Sequence, residues 1–315
     1  MTTAPTGGPR TRAGFSSSVA DNDGAFAPQD WGLFSAISLI WGSSFLLIAE
    51  ALEAFTPGIV TLGRVALGAL TLWIIRLVRQ PRRRIEPEDR GRVFVLAVLW
   101  VAIPFTLYPL AQQWINSAVA GLLNGATPVL VALVSIVFIR VVPRGTQLIG
   151  LILGFVGIVL ISFGSAGEGS SEARGVLLVL AATVCYGFAI NVAPPLQSKY
   201  GAIVLMSSVL GIAAVLVAPL ALVNLSDNDW QTSSALALAA LGAVGTGIAY
   251  WIMTSLVGRI GSIRASFITY MIPIVSLALG IWLRDDSVAR LALVGAPITL
   301  LGASLASRKA SPTKS

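Results

Sequence analysis

Histidine is missing altogether from the 315 residues, and cysteine occurs once, as Cys185 inside an apolar run. Without histidine there is no imidazole-ligated metal, no Ser-His triad and no histidine proton relay. A lone cysteine forms no internal disulfide and leaves the redox compartment unreadable. Charge is scarce as well, at 11% of residues against about 25% in soluble domains. No acid lies in the middle of any long apolar run. A substrate that is only cationic is therefore disfavoured, since it would need a buried anion to replace its hydration. No clustered acid, metal ligand or activated nucleophile occurs at depth, so no catalytic residue, metal or cofactor is expected and the chain does not read as an enzyme. Basic residues interleaved with aromatics on a soluble domain are likewise absent, which excludes nucleic acid as a partner.

What the chain has is apolar length. Hydrophobic residues make up 56%, above the roughly 45–50% of soluble domains, and they fall in runs too long for a soluble core. Residues 1–30, rich in Thr, Ser, Gly and Pro, read as a flexible tail. Ten spans follow, near 31–52, 57–78, 92–111, 116–139, 146–164, 175–193, 201–223, 234–256, 262–283 and 290–307. Each approaches the ~20 residues that cross a ~30 Å hydrocarbon core. A span in lipid must satisfy its own backbone, so these are helices and the fold is an all-α membrane protein.

The chain also repeats itself. Sliding it by 145 residues puts Gly42 on Gly187, Trp41 on Tyr186, Phe105 on Tyr250, Pro128 on Pro273, Gly150 on Gly295 and Gly157 on Gly302. One unit of about 130 residues is used twice. Of the 21 basic residues, all but Arg64, Arg174, Arg284 and Arg290 fall on the side of the N-terminus, which the positive-inside rule makes cytoplasmic. Both termini are expected there, in the cytoplasmic membrane. Five spans per unit is odd, so the second copy enters with opposite polarity. The charges agree: the Arg-rich loop at 76–92 corresponds to 221–237, whose charges are Asp227 and Asp229, and Arg140 corresponds to Asp285. This is an inverted repeat, an arrangement that places a solute site between the halves near the midplane and lets them rock. A passive channel would show a continuous polar stripe or charged ring, whereas the polar positions here are scattered. Small solute and lipid bilayer are the partners expected, with proton coupling and a monomer or homodimer left open.

The sequence resembles the EamA-type members of the drug/metabolite transporter superfamily. The resemblance is carried by WGSSF at Trp41–Phe45, Arg64 in GRVALGAL, NSAVAGLLNGATPV at Asn116–Val129, GIVLI at Gly157–Ile161, GTGIAYW at Gly245–Trp251, GSIRASFITYMIPIVSLALG at Gly261–Gly280 and LLGASL at Leu300–Leu305. It implies EamA-like repeats at 31–164 and 175–307, a linker at 165–174 and a cytoplasmic tail at 308–315. It further implies a secondary transporter, commonly an exporter of small metabolites such as amino acids, with a cavity lined by helices 1, 3, 4, 6, 8 and 9. Family repeats often end the fourth helix with glycine and glutamate. Ile139-Arg140 and Arg284-Asp285 stand there instead, so the first copy has lost the acid.

Residue by residue, the cavity candidates are aromatic or polar groups at depth: Trp41, Phe105, Tyr108, Asn124, Tyr186, Tyr250 and Tyr270. Buried Tyr and Trp need hydrogen-bond partners, which a polar cavity supplies. The competing reading for each is helix packing or lipid contact. Pro128 and Pro273 each remove a backbone donor and are candidate hinges. Arg64 is the one charge inside a span, about 10 Å from its start. It reads either as a structural pair with Glu50 or Glu53 or as a group that attracts a substrate carboxylate. Glu50 is either an interfacial acid or a coupling proton site.

Overall fold

The computed structural model describes residues 27–79, 84–139, 145–166, 170–223 and 225–306. Most of the N-terminal tail, Arg82, Arg83, Arg140, Arg144, part of the 165–174 linker and the 308–315 tail lie outside them. The described residues form helices and no strand. In chain order these are α1 (Pro28–Leu52), α2 (Pro57–Val78), α3 (Pro87–Ala111), α4 (Ser117–Asn124 and Thr127–Val137), α5 (Thr146–Gly164), α6 (Glu172–Tyr200), α7 (Ala202–Leu222), α8 (Thr232–Ile260), α9 (Ile268–Arg284) and α10 (Arg290–Ala306). Seven are long and apolar enough to cross a membrane, or eight with the bent α4 as one span; α9 and α10 are shorter apolar helices. The chain is a multi-pass membrane protein.

Helix boundaries follow local chemistry. Pro28, Pro57 and Pro87 open helices where their missing N–H costs nothing, and the Asn116 side chain accepts from Val119 N at 2.9 Å to cap α4. Single residues, Gly201 and Gly261, connect α6 to α7 and α8 to the short helix Ser262–Ala265 before α9. Both have positive φ, 79° and 81°, a conformation that glycine reaches without a Cβ penalty. The chain after α9 turns through Asp285 at φ 53°, tolerable for its short side chain.

Irregular backbone recurs with the repeat. α3 is π-helical over Ala97–Ala102 and α8 over Ala240–Ile248, which contains the equivalent stretch 242–247. α4 bends by 40° at Gly125–Ala126, with Pro128 beginning its second half. The break before α9, at Ser266–Phe267, comes about one turn earlier in the second copy, so Pro273 lies inside an unbroken helix. α6 also runs unbroken through Pro194 and Pro195 to Tyr200, further than the 193 expected.

Helices of the two copies pack on each other in related pairs: α5 on α10, α4 on α9, α2 on α7, and then α2 on α8 with α7 on α3, α3 on α6 with α8 on α1, and α1 on α9 with α6 on α4. The α5–α10 contact makes the inversion explicit. A Cβ on Gly302 would stand 2.6 Å from the Gly150 carbonyl oxygen, and one on Gly157 would stand 2.8 Å from that of Gly295. Gly150 and Gly295 are equivalent, as are Gly157 and Gly302, so the two contacts exchange under a local two-fold that runs the helices antiparallel. One end of the bundle carries Arg84, Arg90, Arg92, Lys199 and Arg259; the other carries Glu50, Glu53, Asp227, Asp229 and Asp286. They are called the basic and acidic ends below.

Candidate functional site: a buried arginine among aromatics between the repeats

Glycines bring α2 and α8 together. Gly68 and Gly247 face each other closely enough that a Cβ on Gly247 would lie 3.2 Å from the Gly68 carbonyl oxygen. Arg64 sits on this seam and is 8% exposed. Its Nε donates to Thr246 Oγ1 at 3.3 Å, and its guanidinium carbon lies 3.9 Å from the Phe105 ring centroid, a cation–π contact. The titratable side chains that interact with it are Tyr186, Tyr250 and Tyr108.

Those tyrosines belong to one aromatic group. Tyr108 stacks on Tyr186 with centroids 6.3 Å apart and meets Phe45 edge-on at 5.4 Å; Tyr250 meets Trp41 edge-on at 6.0 Å. The Tyr108 hydroxyl donates to Asn124 Oδ1 at 2.7 Å. Of the cavity candidates, Trp41, Phe105, Tyr108, Asn124, Tyr186 and Tyr250 therefore stand within one connected cluster drawn from α1, α3, α4, α6 and α8, with Arg64 added from α2.

Tyr270 is placed elsewhere. Its hydroxyl donates to the Ala303 carbonyl in α10 at 3.0 Å, and its ring lies beside Phe267. The early break before α9 leaves Tyr270 within regular helix, facing α10. The partners expected for Arg64 also need correction. Glu50 and Glu53 bind Arg284 of α9, at 3.0 and 2.5 Å, at the acidic end, and among the described residues Arg64 has no carboxylate partner. Sequence reasoning missed Thr246 and Phe45. The GTG stretch was a signal for the first, since a lone hydroxyl between helix-packing glycines has few other uses.

Two recesses lie towards the ends of the bundle. At the acidic end a cavity of about 760 Å³ is lined by Glu53, Thr106, Leu110, Gln113, Asp229 and Arg284 among others. At the basic end one of about 290 Å³ is lined by Tyr200, Ile203, Trp251, Thr254 and Ser255 among others. Ion pairs close the basic end: Arg259 with Asp30 at 2.5 Å, and Lys199 with Asp89 at 2.8 Å, where Tyr200 also donates to the carboxylate at 2.6 Å. Among the described residues no group of three potential ligands could hold a metal.

The profile of the EamA-like transporter family matches residues 31–163 and again 173–308. The chain belongs to that family. This EamA-like chain is 25% identical over 281 residues to an uncharacterized transporter of Archaeoglobus fulgidus, covering 89% of this chain and 99% of that one. It is 26% identical over 263 residues to a Chlamydia trachomatis protein named as an S-adenosylmethionine/S-adenosylhomocysteine transporter, covering 79% and 80%. One solved crystal structure has the same fold, with a TM-score of 0.62 at 21% identity over 89% of this chain and 97% of its own. In this EamA-like transporter, the WGSSF stretch spans the interruption of α1 at Ser43, and GTGIAYW carries the π-helical segment into the aromatic cluster.

Proposed function

We propose that the protein is a secondary transporter that moves a small metabolite across the cytoplasmic membrane by alternating access, in the direction of export. In this reading the chain crosses ten times, as two inverted five-helix repeats at 31–164 and 175–307 joined by the 165–174 linker, with both tails cytoplasmic. The observation that carries it is the cluster itself: side chains from six helices of both copies converge between the repeats, with a cavity of about 760 Å³ at the acidic end of the bundle and the Lys199–Asp89 and Arg259–Asp30 pairs at the basic end. Rocking one repeat against the other would exchange which end is shut. The named activity of the Chlamydia relative supports an amino-acid-derived solute. Glu50, held by Arg284 at the acidic end, belongs to the gate in this reading, and Pro128, at the bend of α4, is a better hinge than Pro273.

Counterflow in liposomes tests the proposal. Substrate on the far side should accelerate exchange of labelled amino acids or their derivatives, whereas a pore would show simple conductance. Tyr250→Ala removes the ring that meets Trp41 and should lower exchange by about tenfold or more while the protein stays monodisperse. Unaltered exchange in Tyr250→Ala and Trp41→Ala alike would remove this site. Orientation is testable separately. Reporters fused near Asp227 should be active outside, and reporters fused near Arg84 inside; both on one face would refute the inverted threading.

A further inference from the structure

We infer that the site between the repeats takes an organic anion, with its carboxylate on the Arg64 guanidinium and its planar apolar body against Trp41. This rests on the transport reading and names the class of solute which that site carries.

The first support is the company Arg64 keeps. Among the described residues it has no carboxylate partner; Nε is used by Thr246, and the two terminal nitrogens make no hydrogen bond. The nearby acids of the bundle ends are occupied: Glu50 and Glu53 by Arg284, Asp30 by Arg259, Asp89 by Lys199. A guanidinium held at membrane depth over an aromatic face is a cation awaiting its counter-ion. Its free fork has the geometry that receives both oxygens of a carboxylate.

The second support comes from the repeat. Shifted by 145 residues, Arg64 corresponds to Val209 and Thr246 to Val101, both fully buried where α7 crosses the π-helical part of α3. The same helix crossing in the other half thus has valines at both of these positions. Packing of this crossing does not require an arginine, since the other half of the same chain closes without one. The charge is an asymmetry added to a symmetric frame, which points to a ligand.

The third support is a set of unused donors. The hydroxyls of Tyr186 and Tyr250 have no hydrogen-bond partner among the described residues, although both side chains interact with Arg64. Both residues are partly exposed, so these hydroxyls face open space rather than packed protein. A carboxylate on Arg64 supplies the acceptor for them, and the partly exposed Trp41, which meets Tyr250 edge-on, supplies the wall for an aromatic or otherwise planar body.

The test uses the full chain in lipid nanodiscs and three probes of nearly one shape: phenylacetate, phenylacetamide and 2-phenylethylamine, titrated by calorimetry. Phenylacetate should bind at least tenfold tighter than either of the others. Arg64→Gln should weaken phenylacetate by about 10- to 100-fold, the range of a charge-assisted hydrogen-bonded pair, and leave the amide unchanged. Arg64→Lys should retain part of the affinity. Equal binding of the amide or the amine, unchanged phenylacetate affinity in Arg64→Gln, or no heat from any probe at millimolar concentration would overturn the inference. Should Arg64→Gln not fold, the ranking of the three probes on the unaltered chain decides. Accelerated counterflow without preference for anions would overturn this inference and spare the transport reading. Tight phenylacetate binding with no accelerated exchange of any solute would do the reverse.

Discussion

Gly302→Ala is expected to lower the thermal midpoint of the purified protein by roughly 10 °C and to cut the yield of monodisperse material. A single methyl group is small, but its neighbours here are backbone: the Cβ would meet the nitrogen and Cα of Gly154 and the carbonyl oxygen of Gly150 at 2.6 Å. Backbone cannot rotate away as a side chain can, so α10 must lift off α5 along their most intimate contact. Overpacking of this kind costs about 1–3 kcal/mol even where neighbours can adjust, and close helix approach through small residues is the main source of association energy in lipid. Gly157→Ala, its two-fold mate, should be equally damaging, because its Cβ would meet the backbone of Thr299 and Gly295. Gly211→Ala in α7 has nothing within 4 Å and should be neutral or gain up to about 1 kcal/mol from helix propensity. Thermal midpoints followed by size-exclusion fluorescence compare the three. Identical midpoints for Gly302→Ala and Gly211→Ala would sink the α5–α10 contact as described.

The glycines that make this prediction possible were legible as a 145-residue echo, Gly150 on Gly295 and Gly157 on Gly302, because close packing constrains a residue type at a fixed spacing. The aromatics were legible for a related reason: Trp41, Tyr186, Phe105 and Tyr250 lie too deep for the interface and recur in both copies. Partner choice was not. The expected Arg64–Glu50 pair assumed that neighbours in sequence are neighbours in space, whereas α2 runs parallel to α8 and hands Arg64 to Thr246, 182 residues away. Arg284 then takes Glu50 from 234 residues away. Tyr270 failed for a different reason. Its copy breaks one turn earlier, at Ser266–Phe267, and a break can move by a turn without changing the apolar pattern from which it was inferred. The clasps at the basic end were equally hidden, since Lys199 and Asp89 are separated by 110 residues and are recognisable as partners only once α3 is known to pack on α6.

Removing those clasps should produce the second large effect, a change in which end of the protein is open. Asp89 is buried at the start of α3 and receives Lys199 and Tyr200 from the end of α6, while Asp30 at the start of α1 holds Arg259 at the end of α8. The α1–α8 and α3–α6 contacts are exchanged by the repeat, so each has a counterpart at the opposite end. Those counterparts are uncharged: Ser234 donates to the Glu50 carbonyl at 2.8 Å, and Gly175 packs on Ala111 and Ile115. The scaffold is thus symmetric, but its charged clasps on this seam hold the basic end. Asp30→Asn combined with Asp89→Asn should release them and shift the population towards a state open at that end. On a Cys185→Ser background, a Ser255→Cys probe in the basic recess should then react with an impermeant maleimide about tenfold faster, and a Gln113→Cys probe in the acidic cavity more slowly, because one population is drawn from the other. Faster labelling at both positions would indicate loosening rather than exchange. Unchanged labelling at both would mean that apolar packing, and not these carboxylates, decides which end is shut.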